Sequence, residues 1–256
     1  MAYDTLTFTS REEWLKARGI GGTDLCAIVN GKGRWESIYD VYDRLTSQKE
    51  METLEEEKLP SEEMKKGLES EKSVRDLYLI NHKEYKEITK RKEVTLLVDK
   101  AYPETTLSPD TLVVQGDGFY KPSRKGFVEI KTKQVYSFNQ IDEYLSNLKE
   151  NEPQYYWQLI HYFLVGDDLE FGDIVFAFTL MKHDDMLDKW YPDKIIIDSL
   201  STTREAVALD IEVAREAVRS FIEDNLRPHI RPRCVEHQNQ RKEENEIWTR
   251  YLTSSD

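Results

Sequence analysis

Residues 126–132, GFVEIKT, limit the possible folds more than any other stretch of this chain. The run is short and β-branched, so it reads as a buried strand. Side chains alternate along a strand, which puts 127, 129 and 131 on one face and 128, 130 and 132 on the other. Val128 and Ile130 can enter a core. Glu129 and Lys131 then stand together on the opposite face, about 7 Å apart along the strand. Buried charge is costly unless it is paired or holds a metal. Any fold must therefore give this strand a core on one side and a partner for its charges on the other.

The neighbouring segments suggest how. TSREEWLKARG opens with Ser10 and carries Glu13 three residues on, a capping-box pattern for a first helix that stops at Gly19. GIGGTD (19–24) is a glycine-rich turn into a second short helix, LCAIVN, and SIYDVYDRLTS predicts a third. SEEMKKGLESEKSVRDLYLINH reads as a long helix, with Leu68, Val74, Leu77 and Tyr78 near helical spacing. The period then changes. Residues 94–99, 105–115, 126–132, 173–181 and 194–198 are rich in β-branched and aromatic residues and predict strands. An aromatic helix, EPQYYWQLIHYFLVG (152–166), lies among them, and an amphipathic helix covers 202–226. Helices, a run of strands, a helix, strands and a helix make an α/β fold with a central mixed sheet flanked by helices. No linker divides the chain, so residues 1–256 are expected to form a single domain. Residues 47–63 are expected to be an acidic exposed segment and 233–256 a polar tail.

Composition narrows the function classes. Charged residues make up 33% of the chain and the formal net charge is −13. That balance argues against a general nucleic-acid binder. The charge is uneven, however. The acids concentrate at 50–71, whereas 82–92 and 121–133 are basic, the latter through Lys121, Arg124, Lys125, Lys131 and Lys133. Cys26 and Cys234 are the only cysteines, which excludes a four-cysteine metal site within the chain and suits a reducing compartment. No apolar run is long enough to span a membrane, and MAYDTLTFTS lacks a leader pattern.

The acids near the charged strand suggest chemistry. Asp110 follows Pro109 ahead of an apolar run, a position strands disfavour. Either the strand bends there or the carboxylate has a role. If 107–114 and 126–132 are neighbours, Asp110 and Glu129 sit side by side, and a hard divalent cation would relieve their repulsion. Lys131 could then orient or deprotonate a metal-activated water, or neutralise phosphoryl charge. Taken alone, Glu-x-Lys more often means a salt bridge, and Pro-Asp an ordinary turn.

Five motifs in order go further: RGIGGTD, GLESE (67–71), LSPDTL (107–112), VEIKT (128–132) and YYWQLIHY (155–162). Together they resemble the phage lambda exonuclease / YqaJ-like viral recombinase family within the PD-(D/E)XK, restriction-endonuclease-like nuclease fold, over roughly residues 11–181. The resemblance implies that Glu71, Asp110, Glu129 and the Ile130 carbonyl hold metal, that Lys131 is the catalytic lysine, and that Gln158 places Lys131 or the water. Tyr162 completes a Q-x-x-x-Y pattern. Arg18 matches the arginine that contacts a terminal 5′-phosphate, with Thr23 and Asp24 in the following turn. Relatives often read SPDG where this chain reads SPDT. Glu62 stands where the lambda enzyme has a phosphate-holding lysine, and Lys65 or Lys66 is the candidate substitute.

The implied activity is Mg²⁺-dependent digestion of linear double-stranded DNA (Mn²⁺ substituting), 5′→3′, leaving 3′ single strands for a phage-type annealing protein. The implied setting is the cytoplasm of a bacterial host, from a phage or prophage, with a trimer by family analogy. Three alternatives stay open: an endonuclease or repair nuclease on the same fold, a non-catalytic DNA-end or recombination-partner protein, and a soluble α/β protein whose acids are structural. His161, His183 and most aromatic side chains are expected to serve packing, with one or two rings of the 155–163 cluster able to touch an unpaired base. Trp14 and Trp35 are expected to pack, the alternative being a wedge at a duplex end.

Overall fold

A computed structural model describes residues 2–47, 62–89, 94–116 and 123–232; between Glu62 and Glu69 it describes the backbone alone. The acidic segment, apart from its ends, and the tail 233–256 lie outside the described residues, as do Lys121 and Cys234. In chain order the elements are β1 (Tyr3–Phe8), α1 (Arg11–Ala17), α2 (Gly22–Asn30), α3 (Ile38–Ser47), α4 (Glu62–Asn81), β2 (Tyr85–Glu87), β3 (Val94–Asp99), β4 (Thr106–Leu107), β5 (Thr111–Gln115) and β6 (Arg124–Val135). Then follow α5 (Phe138–Ser146), α6 (Leu148–Asn151), α7 (Pro153–Val165), β7 (Phe171–Asp184), β8 (Lys189–Thr203) and α8 (Ala208–Phe221).

The charged strand is the centre of a five-stranded mixed sheet, ordered β2-β5-β6-β7-β8. β5 pairs with β6 antiparallel, and β7 pairs with it in parallel. A parallel pair needs a long crossover. Helices α5, α6 and α7 supply it. A smaller sheet, β1-β3-β4, stands beside the first. Both faces of the large sheet are covered. Val128 and Ile130 pack with Val74 and Tyr78 of α4 on one side. Phe127, Ile174, Phe176 and Phe178 pack with α2, α7 and α8 on the other. Glu129 and Lys131 belong to this second face, so their charges point under α7 and not into open solvent.

Local sequence explains most of the elements. Ser10 Oγ accepts the Glu13 N–H at the start of α1, which is the first half of a capping box. In α8, Ile211, Ala214, Val218 and Phe221 form the buried stripe. Arg204 donates to the carbonyls of Phe163, Gly166 and Leu169, which gives the end of α7 its hydrogen-bond partners. His161 is fully buried, and its Nε2–H donates to the Thr106 carbonyl at 2.8 Å, tying α7 to β4. His183 pairs with Asp185 and Asp188. Both histidines thus have the structural partners expected of them.

Several elements depart from the sequence reading. Residues 105–115 are not one strand. Pro109 has no N–H to give a ladder, and the chain switches there from the small sheet (β4) to the large one (β5). The glycine-rich turn contributes its last residues to the first turn of α2. On α4, Val74 and Tyr78 are buried but Leu77 faces out. β8 runs to Thr203, and a 3₁₀ turn at Glu205–Val207 precedes α8, so residues 202–226 are not one helix. β1, β2, α5 and α6 had no counterpart in the sequence reading. Trp14 is packed and donates to Ser108 Oγ at 3.0 Å, but Trp35 is 57% exposed, against expectation. No helix among the described residues is long and apolar enough to cross a membrane.

Two glycines let β6 and β7 carry large rings side by side. Gly126 lies opposite Phe171, and Phe127 opposite Gly172. A Cβ on Gly172 would come within 2.1 Å of the buried Phe127 ring. Overpacking at such a site costs about 1–3 kcal/mol. Gly172→Ala is therefore expected to lower stability by about that amount, read as a lower urea midpoint at unchanged slope. An unchanged midpoint would mean that the ring has room to move.

Candidate active site

β6 carries Glu129 beneath α7, where it is 2% exposed. Each carboxylate oxygen has a donor. Lys131 Nζ donates to Oε1 at 2.5 Å, and the Tyr162 hydroxyl donates to Oε2 at 2.5 Å. The same hydroxyl accepts the Asp110 N–H at 3.1 Å. Tyr162 is held in turn by stacking on Phe127, with ring centroids 4.0 Å apart. Lys131 lies 5.3 Å from the centroid of the Tyr155 ring. Two rings of α7, about two turns apart, therefore flank the strand's carboxylate and its ammonium.

Asp110 stands at the corner where the chain changes sheets. Thr111 is opposite Val128, so Asp110 comes beside Glu129, and the two carboxyls are in hydrogen-bond contact. Asp110 is set deep in the cleft wall, yet its residue surface opens to the cleft. Partial burial and the Glu129 charge together push its carboxyl well above the usual range. Burial, reinforced by Glu129 and opposed by Lys131, also raises Glu71. Burial alone would pull Lys131 down, but Glu129 and Asp110 outweigh it and hold the group as an ammonium. Burial and both acids keep Tyr162 a neutral phenol, able to donate.

A cavity of about 80 Å³ opens beside these acids. Its lining combines Arg18, Gly21, Gly22 and Thr23 with Ser108, Asp110, Glu129, Gln158 and Tyr162. Gly22 is needed there, because a Cβ would lie 2.8 Å from Gln158 Cγ. The start of α2 faces this space, and a helix N-terminus suits an anion. Arg18 ends α1 with its guanidinium 4.8 Å from the centroid of the Trp14 ring. Desolvation pulls its pKa down, with Asp24 opposing. Asp24 is buried and already engaged: it accepts the Gly21 N–H at 2.7 Å and pairs with Arg44 at 2.6 Å. It shapes the turn. Arg44 and Glu36 complete this group.

The structure thus brings together Arg18, Thr23, Asp110, Glu129 and Gln158 around one cavity, with Glu71 and Lys131 in electrostatic contact with its acids. Gln158 lies against Gly22, while Tyr155 is the ring beside Lys131. The Ile130 side chain is in the opposite core, and its backbone is in register with Val175. The Lys65 and Lys66 side chains lie outside the described residues. Sequence reasoning missed Arg44, Glu36, Ser108 and the ring of Tyr155 as parts of the site. The first two carry no motif and meet Asp24 only through folding.

Among the described residues no group of three or more His, Cys, Asp or Glu side chains is already arranged around a metal position. The donors nonetheless fit a hard cation. Asp110 and Glu129 are adjacent oxygen donors whose mutual repulsion is only partly offset by Lys131.

The family described as the YqaJ-like viral recombinase domain matches residues 13–168. No curated protein sequence matches the chain. Among solved structures, the fold is similar to that of an alkaline exonuclease, LHK-Exo, from Laribacter hongkongensis. The TM-score is 0.53 at 20% identity, covering 91% of this chain and 98% of that one. The same values hold for LHK-Exo in complex with dAMP. A phage-related exonuclease from Haemophilus somnus 129PT aligns at 14% identity over 83% of this chain and 99% of that one, with a TM-score of 0.42. The alkaline exonuclease structures are of the PD-(D/E)XK type, and the fold here is that mixed sheet flanked by helices.

The acids behind the cavity generate a pH dependence. Burial, together with a hydrogen bond to Asp24, pushes Glu36 up to about 8. An unfolded glutamate titrates near 4.3. The folded chain therefore holds an extra proton between those values. The stability tied to that proton is fully present below about pH 4.3 and is lost as pH rises through about 8. Glu36→Gln is expected to flatten this decline, so its urea midpoint should gain on the parent's from about pH 5 to about pH 9. Parallel pH profiles would show that Glu36 is ionised in the folded protein.

Proposed function

This chain belongs to the YqaJ-like viral recombinase family, and from that premise we propose that it is a divalent-metal-dependent exonuclease on linear double-stranded DNA. The proposed direction is 5′→3′, leaving 3′ single strands for recombination. One observation carries the reading: the Arg18 pocket and the acids Asp110 and Glu129 line the same small cavity. A terminal phosphate and a scissile phosphodiester are thus offered neighbouring sites. The family and the likeness to alkaline exonucleases support a recombination-related DNA exonuclease. The dAMP bound by LHK-Exo supports a mononucleotide product here.

Asp110 and Glu129 would hold Mg²⁺, or Mn²⁺ in its place, with Glu71 and the Ile130 carbonyl as further oxygen donors. When bound, the cation lowers the pKa of a water and polarises phosphoryl oxygens. The chain's own groups do the positioning. Tyr162 donates to one oxygen of Glu129 and fixes its rotamer. Lys131, held as an ammonium, orients the attacking water and offsets charge on the phosphoryl oxygens. Gln158 holds the same water or the lysine from above. Arg18 clamps the 5′-phosphate with the first turn of α2, Thr23 adds its hydroxyl, and Asp24 keeps the turn in shape. Lys65 or Lys66 is proposed to take the place of the phosphate-holding lysine. The single domain is proposed to act as a trimer, and the 3′ strand to pass to a single-strand annealing protein in the cytoplasm of a bacterial host.

The test uses end-labelled linear duplex, with and without a 5′-phosphate, and closed circular duplex, in Mg²⁺ or EDTA. The parent should shorten only the linear DNA, from the 5′-phosphorylated end, and only with Mg²⁺. Lys131→Ala should lower the rate by about 10²–10³-fold with folding retained. Arg18→Ala should instead erase the preference for a 5′-phosphate. Nicking of the circle would favour an endonuclease. A folded parent that leaves linear DNA intact in Mg²⁺ and Mn²⁺ would sink the catalytic claim.

A further inference from the structure

One exposed aromatic side chain, that of Trp35, meets the site through Tyr155 and belongs to no core cluster. Trp35 is 57% exposed. Leaving an indole in water forgoes the burial that such a ring normally brings. The turn that carries it is nonetheless tightly built. Gly31 ends α2 in the left-handed region, at φ 77°. The Gly33 N–H donates to the Glu36 carbonyl at 2.8 Å, and Lys32 and Ser37 form an antiparallel bridge. Gln154, a buried residue, anchors the turn from α7. Its Oε1 accepts the Arg34 N–H at 3.0 Å, and its Nε2 donates to the Thr23 carbonyl at 2.6 Å. Glu152 accepts from Arg34 Nη1 at 3.2 Å and from Lys133 Nζ at 2.7 Å. The Arg34 guanidinium lies 5.8 Å from the Trp35 ring centroid.

The anchors place the indole in relation to the cleft. Through Gln154 the turn is tied to Thr23, which lines the Arg18 cavity. Through its own ring, Trp35 meets Tyr155 at 6.3 Å between centroids, and Tyr155 is the ring beside Lys131. A hydrogen-bonded turn therefore presents a half-exposed indole that touches Tyr155, the ring beside Lys131, and is tied through Gln154 to Thr23 of the cavity lining. A base has a π-face that stacks on such a ring whatever its identity.

We infer that Trp35, backed by Arg34, is a substrate-positioning residue that stacks on an unpaired nucleobase of the DNA end entering the cleft. This rests on the DNA-end reading above and adds to it how a frayed base is held. The contact is sequence-tolerant, as an enzyme that degrades DNA of any sequence requires. Arg34, engaged with Glu152, lies over the indole with its guanidinium 5.8 Å from the ring centroid.

The experiment compares the parent with Trp35→Ala and Trp35→Phe. One arm uses linear 5′-phosphorylated duplexes with a single abasic site at the first, second or third nucleotide. The other titrates the proteins, in EDTA, against duplexes carrying 2-aminopurine at the same positions. Trp35→Ala should melt at the parent's temperature and lose about five- to hundredfold in kcat/KM on intact DNA, chiefly through KM. Trp35→Phe should recover most of that loss. An abasic site at one of the three positions should slow the parent but leave Trp35→Ala unaffected. Stacking should quench 2-aminopurine at that position for the parent and for Trp35→Phe, but not for Trp35→Ala. Equal rates and equal quenching in parent and Trp35→Ala would overturn the inference, as would equal sensitivity to abasic sites. A parent that quenches without cutting would leave the stacking role standing and remove the nuclease reading. A parent that neither binds nor cuts would remove both.

Discussion

The carboxylate of Glu129 lies almost wholly out of water on the middle strand of the sheet, and much of the surrounding structure serves to make that tolerable. A lone buried carboxylate is too costly to keep ionised. Lys131 and Tyr162 occupy one oxygen each. Asp110 then adds a second carboxyl, which restores part of the penalty. The arrangement is therefore imperfectly satisfied without a further cation, and such imperfection is usual where chemistry takes place. It also depends on α7 being correctly placed. Phe127 supports the Tyr162 ring, His161 ties the helix to β4, and Arg204 satisfies its final carbonyls.

Pro109 has an equally large consequence. By ending β4 and sending the chain to β5, it joins the two sheets at one corner. Asp110 sits on that corner, with its N–H on the Tyr162 hydroxyl. Ser108, two residues before, accepts from Trp14 of α1 and so draws in the helix that ends at Arg18. The anion pocket and the acids thus share a wall because one proline interrupts one strand. In the proposed reading, a phosphate at a strand end would occupy the Arg18 side of this cleft while its neighbour meets the acids and Lys131.

Legibility from sequence tracked burial. The aromatic helix expected at 152–166 is Pro153–Val165, since ten of its thirteen residues are buried and its limits are marked by proline and glycine. The strand expected at 126–132 lies within Arg124–Val135. β1 was silent because only Tyr3 among its six residues is buried, so no alternation marks it. The outer half of β8 is exposed, and its pattern is correspondingly absent. Glu129, Lys131 and Asp110 could be read because charge in an apolar run is conspicuous. The partner of Asp24 could not be read, because its ion pair is with Arg44, twenty residues away and on another helix.

The sequence by itself determined the alternation of elements, the charged face of one strand and the proline that must interrupt another. Those follow from local sterics and from the period of apolar residues, which need no partner to be expressed. Only the tertiary structure decided which charges meet. It set Tyr162 against Glu129, brought Glu71 across from α4, left Trp35 in the open and placed the glycine-rich turn beside Asp110. The contacts among these span dozens of residues and depend on how the elements settle on the sheet, and pairing over such distances is decided by packing.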